Sequence, residues 1–309
     1  MDFPAMEPSP RLAQHDGIFT SNFSSNESNM PGLVISTHTH TDLLKYDGYA
    51  SFVASLQDNL HTGREVLEFS GVNAKDFEFL SSDDNRPLKS AKFSYNFLTE
   101  LLTIKMPGFA HETLTGLFKA MIDKQLFAMG VFDELIPRAS LLTVLGNWAK
   151  EPDACWAPES TDDLTVVLEV GTSESAPRLA IDARGWLESP GTTVKTCITI
   201  DLSRENNLAI DVWRLGRRVY AVSPRNLPSP AVRVQHVKIV SGEAGPEIYG
   251  WKTDQNIDVI PTDEIRLDFA MFVGRPAATD LEQDIVINRN LLMGFANRFW
   301  RHQGRRLQG

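Results

Sequence analysis

The segment Leu164-Thr165-Val166-Val167-Leu168-Glu169-Val170 is apolar on both of its alternating faces, with a single carboxylate near its end. A strand of that kind has to be covered on two sides, so it belongs inside a sheet with helices on both faces. Gly171 stops it. Thr172, Ser173 and Ser175 then offer capping hydroxyls, Pro177 suits a first helical turn, and Leu179, Ala183, Trp186 and Leu187 recur at helical spacing. Ser189-Pro190-Gly191 ends that helix, and Val194–Ile200 and Ala209–Trp213 read as further strands. Strand, helix and strand in this order make a βαβ-like unit, so the expected class is α/β (α+β), a mixed central sheet flanked by helices.

Glu169 is the anomaly in this pattern. A carboxylate left charged and alone in so apolar a strand costs roughly several kcal/mol, or stays protonated, unless a cation accompanies it. Asp153, in Glu151-Pro152-Asp153, stands at the start of the short apolar segment Ala154–Ala157, at a separation from Glu169 that suits a hairpin-like return. A divalent ion shared by one Asp and one Glu would supply the cation, because Mg²⁺ prefers oxygen ligands and keeps waters that attack a phosphodiester. Two plainer readings stand beside it: Asp153 as a turn residue after Pro152, and Glu169 as a structural ion pair with Arg184 or Lys195.

Upstream, Tyr49, Phe52, Val53, Leu56 and Leu60 fit an amphipathic helix, Glu65–Ser70 a strand, and Asn73–Lys92 a polar connection. Lys92–Phe97 and Glu100–Met106 alternate and predict a hairpin; Pro107-Gly108 breaks it, and Leu114, Leu117, Phe118, Met121, Ile122 and Leu126 mark a core helix from Ala110 onward. A strand pair is expected at Val131–Ile136 and Ser140–Leu145, with a turn at Lys150-Glu151-Pro152. Beyond Tyr220 the pattern predicts short strands at Val232–Val240, Ile257–Ile260 and Ile265–Phe272, then a helix over Asp280–Arg301. This divides the chain into a leader at 1–31 without periodicity, expected to be disordered, a core with an N-terminal extension at 32–220, and strands and a helix packed on that core at 221–309.

A net charge of −10 over 309 residues argues against a protein whose main task is to coat nucleic acid, while leaving room for a local basic groove. Cys155 and Cys197 lack zinc-type spacing to His and exclude a disulfide framework. With no secretory pattern and no apolar run of spanning length, the expected location is intracellular, cytoplasmic or nuclear, without a membrane partner.

Pro152-Asp153 followed by Leu168-Glu169-Val170 resembles the PD-(D/E)XK nucleases, and specifically a bacterial restriction-endonuclease-like family with related fungal proteins. The other matching pieces are Leu102–Pro107, His111-Glu112, Thr172–Ser175, Asp182-Ala183-Arg184 and Val194–Ile200. The resemblance implies a restriction-endonuclease-like core and a metal-dependent nuclease, with DNA as the expected substrate and Mg²⁺ or Mn²⁺ as cofactor. Asp153, Glu169 and Glu112 would then hold the metal, and Asp153, Glu169 and Arg184 would carry catalysis. Gly171 departs from the motif, which places Lys two residues after the Glu. Arg184 on the following helix is the expected stand-in; it neutralises a phosphate but does not transfer protons as Lys does. The alternative is a nuclease-like module that binds without cutting, and an oligomer is compatible with either.

Other residues carry two readings each. His111 lies on the apolar side of its helix and suits a hydrogen-bonded core histidine as well as a ligand; Glu112 suits an acid in a first helical turn. His38, His40 and Asp42 suit a surface segment better than a metal cluster, and Arg214, Arg217, Arg218, Arg298, Arg301, Arg305 and Arg306 read as solvated charges or phosphate contacts.

Overall fold

A computed structural model describes residues 43–62, 65–138, 141–161, 163–172, 176–203, 205, 207–216, 229–243, 245–253 and 258–307, all within a compact unit spanning Thr41–Gly309. The leader, the His38–Asp42 segment, Arg217 and Arg218, and the side chains of Arg305 and Arg306 lie outside the described residues.

The elements run β1 (Leu43–Lys45), α1 (Tyr49–Thr62), β2 (Val66–Ser70), α2 (Ala74–Ser81), β3 (Lys92–Asn96), β4 (Leu101–Lys105) and α3 (Phe109–Ala128). Then come β5 (Leu135–Arg138), β6 (Thr143–Leu145), β7 (Trp148–Lys150), β8 (Ala154–Pro158), β9 (Val166–Gly171), α4 (Ala176–Glu188), β10 (Thr196–Leu202) and β11 (Leu208–Leu215). The chain continues through β12 (Ala231–Gly242), β13 (Gly245–Thr253), β14 (Val259–Pro261), β15 (Ile265–Leu267), α5 (Phe269–Val273), β16 (Ile285–Ile287) and α6 (Arg289–Leu307). Among the described residues these form sheets of six strands (β1-β2-β4-β3-β7-β6), eight strands (β14-β13-β12-β11-β10-β9-β8-β5) and two strands (β15-β16). The class is α+β, with mostly antiparallel pairing.

The eight-stranded sheet explains the doubly apolar strand. Val166, Leu168 and Val170 of β9 join the core built by α3 and α6, while Val167 packs with Ala183, Trp186 and Leu187 of α4 on the other face. Helix α4 is the crossover that brings β10 parallel to β9, with Val167 opposite Cys197 and Glu169 opposite Thr199. The sheet continues through β11 to β14, so it crosses the boundary expected near residue 220.

The six-stranded sheet has two unlike faces. Leu67, Phe69, Phe93, Tyr95, Leu102 and Ile104 pack against Phe52 and Leu56 of α1 and Phe77 and Leu80 of α2, with Phe77 stacked on Tyr95 at 4.2 Å between ring centroids. On the opposite face the register aligns Glu68, Thr103, Ser94 and Lys150 in one row and Lys105 beside Lys92 in the next. That polar face positions the site described below.

Several expectations are corrected. Asn73–Lys92 contains α2, whose start is fixed by Asn73 accepting from the backbone N–H of Asp76 at 3.0 Å. Strands β5 and β6 do not pair with each other: β5 pairs with β8 and β6 with β7, in separate sheets. The strand expected over Ile265–Phe272 is β15 followed by α5, and the last helix begins at Arg289 because Ile285–Ile287 forms β16. Strand β12 is slightly longer than expected, and β13, where no strand was expected, pairs with it as a hairpin.

Candidate active site

Three acids within a short stretch of chain are buried: Glu151 is 4% exposed, Asp153 4% and Glu169 2%. Their partners separate them. Glu151 accepts two hydrogen bonds from Arg86, at 2.5 and 2.6 Å, and one from the Phe93 backbone N–H at 3.1 Å. The guanidinium in turn lies 4.3 Å from the Phe93 ring centroid. A bidentate pair of this kind is structural.

Asp153 and Glu169 are arranged differently. The β8–β9 ladder ends where Ala154 pairs with Leu168; just before it the Asp153 backbone N–H donates to the Leu168 carbonyl oxygen at 3.1 Å, so Asp153 enters β8 beside the end of β9. The Asp153 and Glu169 carboxyl groups line one cavity, close enough for the charge of Asp153 to act on Glu169. Asp153 is locked from three sides. Its Oδ2 accepts from the Val170 backbone N–H at 2.7 Å and from Lys105 Nζ at 3.3 Å, and His111 Nε2 lies 2.8 Å away. Its Oδ1 is buried without a hydrogen-bond partner among the described residues. Burial raises the pKa of Asp153, but Lys105, His111 and the Val170 N–H together outweigh it and hold the carboxyl well below the usual carboxylate range.

Glu169 Oε1 accepts from Trp186 Nε1 at 2.5 Å and lies 3.2 Å from Lys150 Nζ. Lys150 is shared: its ammonium is 2.6 Å from Asp182 Oδ1, closer than it is to Glu169. Burial first, then the charges of Asp153 and Asp182, push the Glu169 pKa up to about 7 against the opposing pull of Lys150 and Lys105. The pKa of Lys150 is itself raised by Asp182 and Glu169 in spite of burial, so it keeps its proton.

These groups face a cavity of about 30 Å³, lined by Asp153, Glu169, Glu151, Lys92, Ser94, Thr103, Lys105, Lys150, Arg178 and Asp182. The six-stranded sheet contributes cations and hydroxyls, the ends of β8 and β9 contribute carboxylates, and α4 contributes Arg178 and Asp182 one turn apart. A larger depression of about 390 Å³ lies elsewhere, but its Arg275 is closed by ion pairs with Glu134 and Glu282 at 2.6 and 2.7 Å. The smaller cavity has the convergent, incompletely paired groups.

Of the residues expected in the site, Asp153 and Glu169 come together. Glu112, in the first turn of α3, has a side chain 61% exposed and does not line the cavity. Arg184 sits at an exposed position of α4, two residues beyond Asp182 and so on another side of the helix. Arg214 lies on the face of β11 opposite Trp213 and interacts with Asp268 and Asp284. His111, read as either core or ligand, is 1% exposed and stands against Asp153.

Sequence reasoning missed Lys105 and Lys150. Lys105 Nζ donates to the carbonyl oxygen of Val170 at 2.6 Å, beside the Gly171 position where the motif would place its lysine. The available signal was a lysine ending each of two strands, Lys105 before Pro107 and Lys150 before Pro152, but no linear spacing ties either to Glu169.

Two neighbouring carboxylates, one with an unpartnered buried oxygen, are donors of the kind that hold Mg²⁺, which is bound by one or two carboxylates plus substrate oxygens. No group of three or more His, Cys, Asp or Glu side chains suited to a metal is found among the described residues. No protein-family model, curated protein or solved structure matches this chain.

Proposed function

We propose that this chain is a divalent-metal-dependent phosphodiesterase of the nuclease type, with Asp153 and Glu169 as metal ligands and DNA as the expected substrate. The observation that carries the reading is the convergence of Asp153 and Glu169 on one cavity at the junction of β8 and β9, with Asp153 Oδ1 left unpartnered. The element order supports a restriction-endonuclease-like core: α3, then β5, β8 and β9 as antiparallel neighbours, then α4 and the parallel strand β10. When bound, Mg²⁺ or Mn²⁺ would supply a polarised water and neutralise charge on the phosphate.

The protein's own groups have separable tasks. His111 and the Val170 N–H fix the Asp153 carboxylate through Oδ2, leaving Oδ1 for a cation. Trp186 fixes Glu169 in the same way. Lys105 and Lys150 act as charge stabilisers for the phosphate, the task expected of Arg184; Lys150, whose pKa is raised, serves through electrostatics and not as a base. Arg178 and Lys92 complete the anion-facing wall.

A second reading is favoured by one observation: Lys105 and Lys150 already compensate the two acids, and about 30 Å³ admits on the order of one water. In that case the site is a structural charge cluster of a binding module. The deciding measurement is Mg²⁺- or Mn²⁺-dependent degradation of labelled single- and double-stranded DNA and RNA, with Mn²⁺ binding followed calorimetrically. The nuclease reading expects cation-dependent cutting and Mn²⁺ binding, both lost in Asp153→Ala and Glu169→Ala. Cutting that survives both substitutions, or no Mn²⁺ binding by the wild type, rejects it.

A further inference from the structure

The face of the eight-stranded sheet that carries Glu169 continues past α4. The registers place Glu169 opposite Thr199, Thr199 opposite Asp211, Asp211 opposite His236 and His236 opposite Trp251, one row across β9 to β13. Strands are 4.7–4.9 Å apart, so Trp251 lies about 19 Å from Glu169 along this row. Helix α4 stands over the β9 and β10 end, and the β11 to β13 end forms a ledge.

A bulge shapes that ledge. Between Val212 and Trp213 the β11–β12 pairing slips by one residue, leaving Val234 unpaired. In a regular strand Arg233 and His236 would point to opposite faces; the extra residue turns Arg233 onto the outer face, opposite Trp213. Its guanidinium then sits between two indoles, 5.9 Å from the Trp213 ring and 5.3 Å from the Trp251 ring. His236 lies 6.0 Å from Trp251 with the rings tilted by 33°. The Arg233 side chain is 41% exposed and His236 24%; Trp251 is half-buried, and Trp213 packs at the edge of the cluster beneath α4 with its indole N–H donating to Thr199 Oγ1 at 3.1 Å, its surface still partly exposed. Lys238 and Tyr249, opposite each other in the next pair, are exposed on the same face.

We propose that this ledge binds single-stranded nucleic acid, with bases stacked on Trp213 and Trp251 and phosphates drawn to Arg233 and Lys238. Flat π-faces interleaved with cations recognise any base without reading its edge, which is the chemistry of sequence-tolerant single-strand binding. The ledge carries the cations Arg233 and Lys238 with His236 beside them, and the acids Asp211, Glu247 and, in the row of Lys238, Asp201, so the attraction for phosphate comes from the local placement of Arg233 and Lys238 and not from net charge. Asp211 is occupied by His236 at 2.6 Å and by Arg233 at 3.3 Å. Two half-exposed indoles held apart by an exposed guanidinium favour a nucleobase over a helical peptide, whose apolar side chains would have to bury that charge.

The inference rests on the nuclease reading for its substrate class, but its test does not need cleavage. Binding of a fluorescent oligothymidylate and a fluorescent RNA oligoadenylate to the full chain is measured by anisotropy in EDTA, together with quenching of tryptophan emission. Both strands should bind, duplex DNA should compete more weakly, and Trp251→Leu or Arg233→Gln should each weaken binding by roughly ten-fold. Thermal unfolding identifies any variant that has lost its fold, and the exposed pair Lys238→Gln and Tyr249→Ser provides a second arm in which weakening is also expected. Unchanged affinity in folded variants overturns the inference, as does equal competition by duplex, heparin or an acidic peptide. Cutting with unchanged KM in Trp251→Leu sinks the ledge and spares the nuclease reading; ledge binding by a chain that cuts nothing does the reverse.

Discussion

Glu169 and Asp153 are neighbours whose protons are held in opposite ways, and this has measurable consequences at the scale of single residues. The folded pKa of Glu169 is raised from 4.5 to about 7. Over that interval the folded chain keeps a proton that the unfolded chain has released, so stability falls as pH rises from about 4.5 to 7. Glu169→Gln should flatten the slope in that window, read from urea midpoints across pH. Asp153 is depressed, so its contribution is complete above the ordinary Asp range and is lost only at more acid pH, outside the Glu169 window. Calorimetry in buffers of different ionisation heat should also show proton release on Mn²⁺ binding near pH 6, since a carboxylate must ionise to become a ligand. On the proposed nuclease reading, Lys105→Met should lower the turnover rate by about 10² or more, whereas Arg184→Ala, at its exposed helix position, should leave it near wild type. Equal effects of the two substitutions would show that the lysine on β4 has not replaced the one missing at Gly171.

At the scale of elements, what was legible depended on whether a segment's partner was local. Helices α1, α3 and α4 and strands β9 to β11 follow from periodicity, because each buries a regular stripe or both faces. Helix α2 did not: it is one short element in a polar stretch, buries only Phe77 and Leu80, and is started by the Asn73 cap. Strands β7 and β16 are three residues long and exist through pairing with β3 and β15. The long β12–β13 hairpin was obscured by Gly250, which breaks the apolar alternation. At that position the chain passes so close that a Cβ would stand 2.5 Å from the His236 carbonyl oxygen and 2.8 Å from that of Thr262. Gly250→Ala should therefore destabilise the protein by about 1–3 kcal/mol in urea unfolding, through displaced pairing of β12, β13 and the end of β14. Phe118→Ala, emptying a ring buried against Phe295 where α3 meets α6, should cost about 3–5 kcal/mol without touching the site.

At the scale of the whole molecule, the site is assembled from two sheets with separate cores. The acids stand on the eight-stranded sheet, and the lysines come from the polar face of the six-stranded one, whose other face is closed by α1 and α2. Among the described residues no helix is long and apolar enough to cross a membrane. Cys155 of β8 and Cys197 of β10 are fully buried in the layer beneath α4, and burial raises the Cys197 thiol pKa well above its ordinary value. Both thiols should be silent to an aromatic disulfide reagent in the native state, and their labelling should show the full denaturant dependence of global unfolding. Rapid native labelling would mean that α4 opens by itself and that the cavity beneath it opens too.

By itself the sequence determined the doubly covered strand β9, the crossover through α4 and the need of Glu169 for a positive partner, because burial periodicity and the expense of a lone buried charge are written in consecutive residues. Only the tertiary structure decided which partner that is. The lysines, histidine and tryptophan around the two acids come from β4, β7, α3 and α4, and no spacing along the chain encodes a meeting fixed by how two sheets and a helix pack. The same holds for Glu151, a carboxylate as buried as Asp153, which is set apart by the guanidinium of Arg86 folding onto it.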